Sequence, residues 1–343
     1  METPQDQPGY LCVDRFLAHF MDAQALGAAF ELGVIDCLER ESTHTIESLG
    51  QQLRTDPRVF PVLIDLLQAA HVLSREGGPL AFTPEFQAAL QYRDLLVAKL
   101  DFARVAAFDL INDFSTLVRA PREFMARARM FRLFSYGRCF DSTPENLELT
   151  RRWVRITTAL TRYEASACFD RYDLSAHRRM LDIGGNSGEF AVQACRRYPQ
   201  LRATVFDLPV VCEIGREHVA ATPEGARISF IAGNAMVDPL PSGFDLITFK
   251  SVLHDWPDDE TRRFMERAWN ALPPGGTLLI YERSRLTFAA TPPFVTTPII
   301  AFAHSYRDPT FYEGILREFG AVDVRTSQVS LEVPFFVLAA RKP

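Results

Sequence analysis

The residues best suited to chemistry end the run Phe244-Asp245-Leu246-Ile247-Thr248-Phe249-Lys250-Ser251-Val252-Leu253-His254-Asp255-Trp256. Its first half is apolar and β-branched, without Gly or Pro, and predicts a buried strand. Pro257, Asp258, Asp259 and Glu260 then open a helix. His254 is thereby set just past the carboxyl end of a strand, the edge where ligands sit in open α/β sheets. A neutral imidazole there can take a proton near physiological pH. A structural histidine, satisfied by its neighbours, is the competing reading.

A second stretch, Leu181-Asp182-Ile183-Gly184-Gly185-Asn186-Ser187-Gly188, follows a strand and opens a helix. Glycines there allow a sharp turn and close backbone approach to a ligand. The dinucleotide pattern GxGxxG fails, because Asn186 stands at its second glycine counted from Gly184. Asp207 closes the second strand, 19 residues after Gly188. A carboxylate there can accept from both hydroxyls of a ribose; a helix or turn cap is the alternative.

These positions need a scaffold, and the chain has the length for two domains at 343 residues. Hydrophobic residues at 47% and charged residues at 23% describe a soluble globular protein. Six scattered cysteines with no CxxC pair argue for a reducing compartment and against a disulfide framework or zinc site. The start METPQDQPGY lacks the basic and apolar regions of a signal peptide, and no window supports a membrane span. A cytoplasmic protein without a metal is expected.

The rhythm changes near residue 175. Before it the pattern is helical. Phe16, Phe20, Ala23, Leu26 and Phe30 mark an amphipathic helix over 14–31. Two helices follow, Thr45 to Leu53 and Asp56 to about Ala70, with Pro61 predicting a later start or a bend in the second. Val72 to Thr83 reads as two short strands around Gly77-Gly78. Helix, helix and hairpin suggest a winged helix. Residues 1–100 carry seven Lys/Arg against fourteen Asp/Glu, the wrong sign for phosphate contacts, so subunit packing is favoured over DNA binding. Residues 88–175 predict longer helices whose aromatics, including Phe131, Phe134, Tyr136 and Trp153, form core or wall an apolar pocket. The arginines between 119 and 138 share no helical face and read as solvated surface, an anchor for a carboxylate-bearing substrate being the alternative.

After residue 178 strand and helix alternate. Strands are expected at Met180–Ile183, Ala203–Phe206, Ile228–Ala232, Leu246–Phe249 and Thr277–Tyr281, with helices at about 188–198, 210–221 and 258–272. This pattern predicts a doubly wound parallel sheet. Val322–Thr326 and Phe335–Ala339 close it as an antiparallel pair. The expected organisation is thus a winged-helix dimerisation region at 1–100, a helical substrate-lining region at 101–175, and an α/β Rossmann-like catalytic domain at 176–343.

The glycine loop, FDLP, GNAM, FKSVLHDW and LPPGG together resemble the O-methyltransferase family of class I S-adenosylmethionine-dependent enzymes, in its plant phenolic and bacterial natural-product and carotenoid branches. The resemblance implies S-adenosyl-L-methionine as methyl donor, S-adenosyl-L-homocysteine as product, and a small-molecule hydroxyl as acceptor. It sets Gly184, Gly185 and Gly188 beside the methionine part, Asp182 at its ammonium, Asp207 on the ribose, and Leu208, Asn234 and Met236 around the adenine. Lys250, one of three lysines in the chain, would lie near the cofactor, a strand-end salt bridge being its alternative. His254 would be the general base, flanked by Glu282 and by Asp308, the latter in Arg307-Asp308-Pro309-Thr310 where relatives often show Lys-Glu-Arg-Thr. Thr310 and Glu313 form a candidate capping box. Asn186 and Asn234 depart from the family's glycine and aspartate; asparagine tolerates positive φ and an amide oxygen still accepts. A homodimer is implied. Nitrogen or carbon methylation, a reaction that leaves the methyl group in place, and a winged-helix regulator are the alternatives.

Overall fold

The computed structural model describes residues 8–41, 43–74 and 79–343. It divides into two compact units, one of Met1–Leu110 with Phe288–Ile299 and one of Ile111–Thr287 with Ile300–Pro343.

The first unit is helical. The expected helix over 14–31 is broken: a 3-10 stretch spans Gly9–Leu17, and the α-helix begins at Phe20, after an extended His19. The Ala18 carbonyl at this break accepts from the N–H of Phe294 at 2.7 Å, a tertiary bond that the local pattern could not announce. Gly33, at φ 82°, ends the helix Phe20–Leu32 and lets the chain turn into Val34–Arg40. The next two helices are Ile46–Gln52 and Phe60–Ala69. The second starts later than Asp56. The Asp56 carboxylate accepts from the N–H groups of Arg58 and Val59 in the preceding turn, and Pro61 falls in the first helical turn, where a missing N–H costs nothing. The expected hairpin reduces to one antiparallel bridge, Leu73 to Phe82. Its Gly77-Gly78 turn lies outside the described residues.

In the second unit seven strands form one sheet in the order β3-β2-β1-β4-β5-β7-β6. They are β1 (Arg179–Ile183), β2 (Arg202–Asp207), β3 (Ile228–Ala232), β4 (Leu246–Lys250), β5 (Thr277–Arg283), β6 (Val322–Ser330) and β7 (Pro334–Arg341). The first five are parallel, and β7 runs antiparallel to both β5 and β6. All seven residues of β5 are buried, as are four of five in β4, which is why these strands read as largely apolar runs. The helix Asp258–Ala271 has three carboxylates in its first turn, at the positive end of its dipole. Its Phe264, Met265, Ala268 and Trp269 pack against Ile247, Phe249 and Leu278 of the sheet. Fully burying one such large side chain contributes about 2–3 kcal/mol. The winding direction reverses between β1 and β4, and the crevice above their carboxyl ends is where such folds take ligands.

Candidate active site

Strand β4 runs out at Lys250, and a single 3-10 turn, Leu253–Asp255, carries His254. The carboxylate of Glu282, fully buried near the end of β5, anchors that turn. It accepts from the Val252 N–H at 2.7 Å, the Leu253 N–H at 2.8 Å and His254 Nδ1 at 2.7 Å. With Nδ1–H donating to Glu282, Nε2 is the nitrogen left to accept a proton. Burial pushes the imidazole toward neutrality, but the charges of Glu282 and Asp255 outweigh it and hold His254 above its ordinary range. Burial opposes ionisation of Glu282 too, yet His254 and the two backbone N–H groups keep it below the usual carboxylate range. Arg307 braces the same turn from outside, donating to the carbonyls of Leu253 at 3.2 Å and Trp256 at 2.5 Å.

The second carboxylate at the imidazole is Asp255, with Oδ1 3.4 Å from Nε2. Tyr136 donates its phenolic O–H to Asp255 Oδ2 at 2.5 Å, and its ring lies parallel to Trp256 at 5.8 Å. Asp308 does not fill the place expected of it. It is exposed, at the N-cap of the helix Pro309–Glu318, and among the described residues it makes no ion pair with His254. The capping box fails with it. Asp308, not Thr310, precedes the helix, and Glu313 instead accepts from Thr326 Oγ1 at 2.6 Å. Around the imidazole stand aromatic rings. Phe302 meets it edge-on at 6.0 Å and Tyr306 lies tilted over it at 5.2 Å, while Phe131 and Phe134 pack on Phe302.

The glycine loop turns as its composition requires. Gly184 has φ 68° and Asn186 φ 56°, so asparagine does take the left-handed conformation. A Cβ on Gly185 would meet Asp182 Oδ2 at 2.4 Å, which excludes any side chain there. Asp207 accepts from the N–H of Asn186 at 2.8 Å and of Leu208 at 2.7 Å, tying the end of β2 to the loop. Thr157 and Thr158, on the helix Pro144–Phe169, bond Asn186 Oδ1 at 3.2 Å and Ser187 Oγ at 2.7 Å. Asn234 Oδ1 accepts from the Met236 N–H at 3.0 Å in a tight turn after β3. Lys250 is paired: its ammonium donates to Glu164 at 2.6 Å and Thr161 at 3.0 Å. Glu164 also accepts from Arg283 at 2.7 Å, so one buried carboxylate joins the ends of β4 and β5.

Residues 116–299 match the O-methyltransferase domain family, over more than half of the chain. The chain belongs to this family. Residues 15–85 match the O-methyltransferase dimerisation domain. The methyltransferase is 28% identical to acetylserotonin O-methyltransferase of Bos taurus over 337 residues, 94% of this chain and 95% of that one. It is 43% identical to 3-hydroxy-5-methyl-1-naphthoate 3-O-methyltransferase of Streptomyces sahachiroi over 110 residues, 32% of each chain. Human N-acetylserotonin methyltransferase in complex with SAM superposes with a TM-score of 0.74 at 23% identity, covering 100% of this chain and 99% of that one.

The methyltransferase's loop fits an amino-acid-bearing nucleoside. Asp182 is fully buried; Oδ1 accepts from Thr248 at 2.6 Å, whereas Oδ2 has no partner. The indole N–H of Trp153, one turn before Thr157 on its helix, is also buried and unpaired. An ammonium would satisfy the first and a carboxylate the second. Neither Trp153 nor Asp255 was assigned from sequence; the signal present was an indole within an aromatic-rich helix and an acid beside the histidine. Burial pushes Asp182 up to about 7 and Asp207 up to about 6. A cationic ligand favours the ionised carboxylate, so affinity is full above these values and is lost as pH falls through them. Calorimetric titration with S-adenosyl-L-homocysteine should show binding weakening by up to about tenfold per pH unit below about 7, and Asp182→Asn should flatten that slope. A pH-independent affinity in the wild type would remove Asp182 from the cofactor site.

Proposed function

We propose that this enzyme methylates a hydroxyl group of a small, largely apolar, aromatic or polyketide-type metabolite, with His254 as general base. The observation that carries this reading is the imidazole fixed by Glu282 through Nδ1, with Asp255 3.4 Å from Nε2 and the rings of Phe302 and Tyr306 against it. S-adenosyl-L-methionine is the methyl donor, supplying a methyl group on a sulfonium that an oxygen nucleophile can displace. Gly184, Gly185 and Gly188 would border its methionine part, Asp182 its ammonium, Asp207 its ribose, and Leu208, Asn234 and Met236 its adenine, with Lys250 held in the same crevice by Glu164. His254 takes the acceptor's proton at Nε2 while the Glu282 charge stabilises the imidazolium. The aromatic rings hold the acceptor and exclude water.

The match to the dimerisation family supports a homodimer formed through the N-terminal region, and six free cysteines suit the cytoplasm. No helix among the described residues is long and apolar enough to cross a membrane. The deciding experiment is incubation with methyl-labelled S-adenosylmethionine and a small-molecule extract of the source cells, followed by mass spectrometry. A product labelled on oxygen is expected; one labelled on nitrogen or carbon would change the reaction while keeping the donor. The position of Asn234 has its own test. Asn234→Asp keeps the acceptor for the Met236 N–H and adds charge, so cofactor affinity should rise by about three- to tenfold. An unchanged dissociation constant would take residue 234 away from the adenine.

A further inference from the structure

Tyr306 has no place in the chemistry so far, yet it is the ring nearest the imidazole. It is 6% exposed, and its centroid lies 5.2 Å from that of His254 at 49°. The hydroxyls of Tyr136, Tyr172 and Tyr281 donate to Asp255, Thr277 and the Glu164 carbonyl. That of Tyr306 makes no hydrogen bond among the described residues, and it is not among the sealed polar atoms that lack a partner. Its hydroxyl is therefore not sealed, and it is carried on a ring that lies against the imidazole of His254. A phenol O–H held at that position with no partner among the described residues is free to donate to whatever occupies the space beside it.

We propose that Tyr306 is an acceptor-positioning residue whose O–H donates to a second oxygen of the acceptor, on the carbon next to the hydroxyl that His254 deprotonates. This rests on the methyltransferase reading and narrows its substrate class to phenols or enols bearing a neighbouring hydroxyl, carbonyl or carboxylate oxygen. The reacting oxygen is the poorer target. Its lone pair must stay free for in-line attack, and a donor upon it would blunt the nucleophile. A neighbouring oxygen carries no such conflict, and a donor there fixes the rotation of a flat ring whose remaining contacts are apolar and slippery. Burial, with Glu282, Asp255 and Glu164 nearby, keeps the phenol protonated against the opposing charge of Arg283. It is a donor and does not compete with His254 as a base.

The test uses Tyr306→Phe, which retains the ring over His254, and three probes of one shape: 2-naphthol, naphthalene-2,3-diol and naphthalene-2,7-diol. Dissociation constants are measured by fluorescence with S-adenosyl-L-homocysteine bound. The wild type should bind the neighbouring diol about tenfold more tightly than the remote diol, the size of one buried hydrogen bond. Tyr306→Phe should bring the two within about twofold at an unchanged melting temperature, and where the probes turn over it should raise KM more than it lowers kcat. Equal affinities in the wild type, no binding of any probe, or a preference that survives in Tyr306→Phe would each overturn the proposal. Labelled methyl transfer to the probes is scored separately. Discrimination without transfer retains the role of Tyr306 and removes the methyltransferase reading; transfer without discrimination does the reverse.

Discussion

Replacing His254 by alanine is expected to lower kcat by about 10³–10⁴ while the dissociation constant for S-adenosyl-L-homocysteine stays within about twofold of wild type. The separation follows from geometry. His254 bonds Glu282 and faces Asp255, Phe302 and Tyr306, whereas the glycine loop is held by Asp207, Thr157 and Thr158. Removing the imidazole takes away the proposed proton acceptor and leaves those loop contacts intact. The measurement is single-turnover transfer at saturating cofactor beside calorimetric binding. Equal loss of both would make His254 a structural residue that holds the ends of β4 and β5 together. Raising the pH should partly rescue the alanine variant for an acidic phenol, because hydroxide then removes the proton that the missing base would have taken.

What was readable in the sequence divides along a physical line. The central parallel strands β1, β4 and β5 are buried and β2 partly so, which makes each a largely apolar run in which a polar residue near the carboxyl end stands out; Asp182, Asp207, Lys250 and Glu282 are all visible in this way, whereas the edge strand β3 has no buried residue. Asn186 was readable too, since only a few residue types accept φ 56°. Asp308 was misplaced because a family's spacing says which residue aligns, not where a loop points. Here Asp308 stands at the N-cap position of a helix, with no side-chain capping bond, and Tyr306 lies against the imidazole. The Tyr136 bond to Asp255 joins positions 119 residues apart, and no local pattern carries such a contact. The break at His19 has the same origin, a bond from Phe294 that only the folded unit supplies.

Glu282→Gln tests the electrostatics of the site more sharply than removal of the histidine. The amide is nearly isosteric, and its oxygen can still accept from the N–H groups of Val252 and Leu253. Its NH₂ group, however, would face His254 Nδ1 and donate to it. That reverses the tautomer, puts the proton on Nε2 and blocks acceptance from the substrate, so kcat should fall by about 10⁴, as when the carboxylate that orients a triad histidine becomes an amide. The loss of charge has a second signature. Glu282 raises the affinity of His254 for its proton, so the acid limb of the residual pH–rate profile should move to lower pH in the variant. Stability should follow the same linkage. The pair stabilises the fold while His254 is protonated and Glu282 ionised. The histidine's share is fully present below its unfolded value and fades as pH rises through its elevated folded value; the carboxylate's share is present above its unfolded value and fades as pH falls through its depressed folded value. Melting curves should therefore show the largest deficit for Glu282→Gln at about pH 5–6.5 and a smaller one at about pH 8.5. A deficit independent of pH would mean that Glu282 acts through its backbone bonds alone, and an unmoved acid limb would detach its charge from the imidazole.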